Sequence, residues 1–211
     1  MISINNLSNR FAKYLSTIVP NTKYPTIEDQ IEVYDFAIMG VFEELSTMIL
    51  LIFFSLILGI FTPVVFIALT FIILRSMAGG IHLKTHRKCQ IMSLIIFIGS
   101  GLMVKHTTQY WTEATIFYLL NFCVLMGIYI IYRYAPRDNP NKSIVDKFER
   151  NKFRRWSFLY LLIWNIIMII FFLLDLKIII VASCFGLLLE LFNVSQIGYT
   201  LTNLNYHNRK N

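Results

Sequence analysis

The strongest constraint on this chain is a succession of long apolar runs separated by short polar intervals, as at residues 48–58 and 163–174. Of its 211 residues 56% are hydrophobic, eighteen of them Phe and eleven Tyr, and the polar remainder is too small to cover them in water. Mean hydropathy is +0.61, above that of an ordinary soluble domain. Lipid must therefore solvate much of the surface, and helices are the expected form of each run. The predicted fold class is all-α, a polytopic membrane protein of about six transmembrane helices plus an N-terminal amphipathic helix.

Ile4, Leu7, Phe11, Leu15 and Ile18 recur at three- and four-residue steps, with Asn5, Asn6, Arg10 and Lys13 elsewhere on the wheel. Residues 1–19 read as an interfacial helix lying on the membrane; packing on the protein's own cytosolic face is the alternative. Residues 20–26 are a linker, and Thr26 with Glu28 and Asp29 marks a helix start by its cap and acidic first turn. That helix is expected to reach about residue 58, and Pro63 suits the first position of the next, which runs to about residue 77. Four further runs follow at roughly 91–104, 114–131, 156–174 and 178–192. Several fall short of the roughly 20 residues of a full span, so tilt, polar flanks or partner helices must complete them. The whole of 1–211 reads as one integral membrane domain, with a helical bundle over 27–199 and a cytoplasmic tail over 200–211.

The formal charge of +7 does not mark a nucleic-acid binder, because the basic residues lie between apolar runs and not on a water-soluble face. Their placement instead orients the chain, since Lys and Arg in short loops stay cytoplasmic. With six spans, seventeen of the nineteen fall on one side, and Lys105 and Lys177 alone face the other. Both termini and the loop after the second span are thus expected in the cytoplasm. Cys89, Cys123 and Cys184 have no paired spacing, which argues against a disulfide framework; the last two sit inside apolar runs and suit packing. No cleavable signal peptide is expected, because the first thirty residues lack a continuous apolar core.

Chemistry concentrates in one polar interval, from Arg75 through Gly79, Gly80, His82, Lys84, His86, Arg87 and Lys88 to Cys89. Cysteine catalysis needs a thiolate, which neighbouring cations and imidazoles favour. On one straight helix His82 and Cys89 would stand about 10.5 Å apart along the axis, far beyond the about 3 Å of proton transfer. The chain must bend between them if they form a dyad. Gly79 and Gly80 permit a break, and their N–H groups could receive an oxyanion. His86, three residues before Cys89, is the rival base on a regular helix. A basic loop that only fixes topology is the other reading. His106 and His207 are expected to be solvated bystanders.

At these residues the sequence resembles the AgrB family of membrane cysteine endopeptidases, which process quorum-sensing peptide precursors in Gram-positive bacteria. Arg75, Gly80, His82 and Cys89 reproduce the spacing of its motif. Tyr134, Ala135 and Pro136, followed by Asn141 and Lys142, resemble its downstream element. The resemblance implies His82 as general base and Cys89 as nucleophile, with no metal and no organic cofactor. It implies an AgrD-type propeptide as substrate, cut on its C-terminal side and released as a thiolactone or lactone, and it favours a homodimer in a bacterial cell membrane. Arg75, Gly79, Gly80 and Glu190 are the candidate oxyanion or supporting residues. Glu190 could orient the base or could be a structural hydrogen-bond partner, and Glu43 and Glu44 compete for the orienting role. Glu43, Glu44, Lys142, Arg154 and Arg155 are candidates for docking the substrate, whose acidic tail suits a basic face. Affinity of that face for anionic lipid is an alternative. Lys84 and Ser143 depart from the family pattern without touching the dyad. A small transporter or exporter that cleaves nothing is the reading from another class, and a non-catalytic scaffold a third.

Overall fold

A computed structural model describes residues 4–19, 26–80, 86–137 and 147–201, without the side chains of residues 4–6, 36, 86, 87, 199 and 201. Among the described residues there is no strand beyond one isolated bridge. The helices are α1 (Ile4–Ile18), α2 (Ile27–Ile57), α3 (Phe61–Ala78), α4 (His86–Thr107), α5 (Glu113–Tyr134), α6 (Lys147–Leu173), α7 (Lys177–Val194) and α8 (Gln196–Leu201), with a 3-10 turn at Thr108–Tyr110. Six helices are long and apolar enough to cross a membrane, and the chain is a multi-pass membrane protein. Two compact units are present, Met1–Leu50 and Leu51–Asn211.

In the first unit, α2 opens as its sequence suggests. The Asp29 amide donates to Thr26 Oγ1 at 3.1 Å, and that hydroxyl donates to Asp29 Oδ2 at 2.7 Å. Gln30 Nε2 and the Tyr34 hydroxyl donate to the Val19 carbonyl, folding α1 back on α2. α1 is buried along its small residues Ser8, Ala12 and Ser16, with Ser8 Oγ donating to Asp35 Oδ1 at 2.5 Å. Its larger residues Leu7, Phe11, Leu15 and Ile18 remain exposed, although Phe11 meets the Phe42 ring edge-on. α1 thus packs on the protein by one stripe and leaves the neighbouring apolar stripe uncovered.

The second unit is organised around α7. Its buried residues Ile180, Val181, Ala182, Ser183, Cys184, Gly186, Leu187, Glu190, Leu191 and Val194 point in nearly every direction, as a central helix requires. α3 covers α7 most extensively, and α4, α5 and α6 also pack on it. On α3 the buried Val64, Ile67, Thr70, Leu74 and Ala78 form one stripe at three- and four-residue steps. Gly186 lets the two backbones touch: a Cβ there would collide with the Ile67 carbonyl oxygen. Where lipid removes the hydrophobic incentive for association, such close approach is a main source of helix pairing. The Tyr160 hydroxyl donates to the Thr70 carbonyl at 3.1 Å, joining α6 to α3. Cys123 and Cys184 are both fully buried.

The helices overrun the apolar runs that announced them. The run at 91–104 belongs to α4 (His86–Thr107), and that at 156–174 to α6 (Lys147–Leu173). Hydropathy marks only the slice inside hydrocarbon, while the backbone ladder continues into the polar boundary. α3 likewise starts two residues before Pro63, which takes the third position instead of the first; its missing N–H still falls in the first turn, where few amides have an intrahelical acceptor.

Candidate functional site

Gly79 ends α3. Its φ of +73° and the φ of +150° at Gly80 leave helical space in a region costly for any residue with a side chain. The Gly79 amide caps the helix by donating to the Arg75 carbonyl at 3.0 Å, so that N–H is already engaged. Helix resumes at His86, which makes Cys89 the fourth residue of α4. The described break, at Gly79 and Gly80, lies upstream of His82, and residues 81–85 between it and α4 are outside the described residues. His82 and Lys142 lie outside the described residues.

α3 and α4 run antiparallel. Val64 touches Gly101, and the Phe71 and Phe97 rings meet edge-on with centroids 5.1 Å apart. From Phe97 back to Cys89 is about 12 Å of helix rise and from Phe71 to Ala78 about 10.5 Å, so Cys89 stands level with the end of α3. The thiol is half-buried, on the first turn of a helix whose amino end favours negative charge.

At this end of the bundle several polar contacts tie the helices together. Glu190 is fully buried on α7; its Oε2 lies 3.8 Å from Arg75 Nη1 on α3 and accepts from Asn193 Nδ2 at 3.5 Å. The Arg75 guanidinium also sits over the Phe71 ring, 5.4 Å from its centroid. Gly80 faces this pair: a Cβ there would lie 3.3 Å from Glu190 Oε1 and 3.5 Å from Arg75 Nη1. Beyond α5, the Arg137 amide donates to the Ala78 carbonyl at 2.8 Å, forming a parallel bridge with Gly79 after the cis Ala135–Pro136 bond. Arg154 Nε on α6 donates to the Ala135 carbonyl at 2.9 Å, and Arg137 Nη2 donates to Gln196 Oε1 on α8 at 2.7 Å.

The structure thus brings Arg75, Gly79, Gly80 and Glu190 into one cluster, with the Tyr134-Ala135-Pro136 element against it. Arg154 contributes to that frame, and Arg155 is exposed beside it. Glu43 is half-buried and Glu44 exposed, both in the first compact unit. Asn193 and Gln196 escaped sequence reasoning; their signal was polar character three and six residues beyond Glu190 in an otherwise apolar segment. Among the described residues no group of three or more His, Cys, Asp or Glu is placed to hold a metal ion.

Residues 8–194 match the model of the family described as AgrB, accessory gene regulator B. The chain is 26% identical over 141 residues to an AgrB-like protein of Clostridium perfringens, covering 66% of this chain and 65% of that protein. An AgrB-like protein of Clostridium acetobutylicum is 28% identical over 125 residues, 56% of this chain and 54% of the relative. Protein FsrB of Enterococcus faecalis is 26% identical over 96 residues, 46% and 38% of the two chains. The matched segments span less than two thirds of each of these relatives. No solved structure matches the chain.

Proposed function

Because this chain belongs to the accessory gene regulator B family, we propose that it is a membrane cysteine endopeptidase that cleaves an AgrD-type quorum-sensing propeptide and cyclises the product. The observation that carries this reading is the Arg75, Gly80, His82, Cys89 motif within the family match, interrupted by a helix break at Gly79 and Gly80. His82 takes the proton of the Cys89 thiol, and the thiolate attacks the scissile carbonyl on the C-terminal side of the signal segment. The carbon–nitrogen bond breaks, the leaving amine takes the proton from the imidazolium, and a thioester on Cys89 remains. An internal Cys or Ser of the peptide then attacks the thioester, closing a thiolactone or lactone and returning the proton to Cys89. A boundary site shielded from water favours this cyclisation over hydrolysis.

The basic side of the chain is the docking surface in this reading, with Lys142, Arg154 and Arg155 as its candidates for the propeptide's acidic tail; Glu43 and Glu44 are separate docking candidates. Seventeen of nineteen cations on that side support cytoplasmic termini and a cytoplasmic catalytic loop. The working unit is proposed to be a homodimer in a bacterial cell membrane.

The test is co-expression with the propeptide from the neighbouring gene, with mass measurement of the released product. The expected product is one water lighter than the linear fragment, and Cys89→Ala should abolish it. Processing by the Cys89→Ala variant would remove the mechanism, and a thiol never trapped as thioester would favour an exporter.

A further inference from the structure

Helical serines and threonines of this chain commonly return the hydroxyl to their own helix: Ser46, Ser55, Ser76, Thr107 and Ser157 each donate to a carbonyl three or four residues back. In a membrane that bond satisfies a hydroxyl that lipid cannot. Ser93 departs from the habit. It is half-buried on the second turn of α4, inside the stretch apolar enough to span, and its hydroxyl has no hydrogen-bond partner among the described residues.

Ser93 follows Cys89 by four residues, so the two side chains share a face of α4 with Cβ atoms about 5–6 Å apart. Helical side chains lean toward the amino end, which carries the Ser93 hydroxyl over the turn that holds the thiol. A thiolate that adds to a carbonyl drives the bond's electron pair onto oxygen, and that oxygen needs a donor at about 3 Å. One carbonyl and one hydrogen bond laid end to end fit the gap between the two side chains. The Gly79 amide, expected from the sequence to serve here, is engaged by the Arg75 carbonyl.

Resting on Cys89 as the proposed nucleophile, we infer that Ser93 is a further catalytic residue, its hydroxyl donating to the oxyanion of the tetrahedral intermediate on Cys89. No proton changes hands there. The O–H stays on Ser93, the carbonyl re-forms as the carbon–nitrogen bond breaks, and the same hydrogen bond serves when the peptide's internal Cys or Ser attacks the thioester. Where little water competes for the developing charge, a single fixed donor counts for more than in solvent. Ser100 is also half-buried on α4 and without a partner among the described residues, yet it stands about 16.5 Å along the helix from Cys89, out of reach of the reacting carbonyl.

The experiment uses the full chain in nanodiscs with the synthetic propeptide encoded by the neighbouring gene, and reads kcat and KM for cleavage beside the rate at which iodoacetamide alkylates Cys89. Alkylation needs the thiolate but develops no oxyanion, so it reports on thiol and fold apart from the inferred role. Ser93→Ala should lower kcat about a hundredfold while KM and the alkylation rate stay within about twofold of wild type. Ser93→Thr keeps a hydroxyl and should recover most of that loss, and Ser100→Ala should match wild type. A wild-type kcat for Ser93→Ala overturns the inference, as does a rise in KM alone or an equal slowing of alkylation. So does a Ser93→Thr no faster than Ser93→Ala, or a Ser100→Ala as slow. If Ser93→Ala fails to accumulate, Ser93→Gly is held to the same criteria, and failure of both makes Ser93 a packing residue and overturns it too. Cleavage by Cys89→Ala, or none by wild type, instead sinks the proposed endopeptidase itself.

Discussion

The carbonyl oxygen of Arg137 occupies the space that a side chain on Gly79 would need, while the Arg137 amide donates to the neighbouring Ala78 carbonyl at 2.8 Å. One glycine thus serves the end of α3 and the segment that follows α5. Gly79→Ala should cost about 1–2 kcal/mol for its positive φ alone and more for the collision. A clear drop in the thermal midpoint of the detergent-solubilised protein is expected, and an unchanged midpoint would contradict this packing.

The contact of Gly186 with Ile67 predicts a different sensitivity. Gly186→Ala should destabilise the protein by about 1–3 kcal/mol, read from unfolding in mixed micelles. Because the obstacle is a backbone carbonyl, Ile67→Ala should fail to rescue it; recovery in the double variant would show that side chains, not backbones, set the spacing.

Tyr160→Phe should matter little although its half-buried hydroxyl joins two helices. The hydroxyl donates to the carbonyl of Thr70, in the middle of α3. Polar bonds between membrane helices average about 0.6 kcal/mol, so a loss well beyond that in the same assay would assign the hydroxyl a larger role.

Orientation can be read with a membrane-impermeant maleimide on intact cells, in a Cys89→Ala background. Tyr110→Cys lies in the 3-10 turn after α4 and Phe148→Cys at the start of α6, and both positions are exposed. Tyr110→Cys should label directly and Phe148→Cys only after permeabilisation. The opposite pattern would invert the proposed topology.

Much of the fold was legible because lipid imposes a simple rule: a long apolar run becomes a helix, and cations choose its side. The six spans, the cap at Thr26 and the helix break at Gly79 and Gly80 all follow from local chemistry. Helix ends were less legible, since α4 and α6 extend through charged residues that hydropathy scores as loop. α1 was read by its large apolar stripe, yet it docks through Ser8, Ala12 and Ser16, because small residues give close backbone contact and periodicity cannot say which stripe meets a partner.

By itself the sequence determined a helical membrane chain with a Cys–His motif at one boundary, since hydropathy, charge and motif spacing are properties of neighbours along the chain. Only the tertiary structure decided that Arg75 meets Glu190 across two helices, that Gly79 abuts Arg137, and that Arg154 supports Ala135. Those pairs lie between 19 and 115 residues apart in sequence. Their meeting depends on which helix faces pack, and that choice is made by the whole bundle at once.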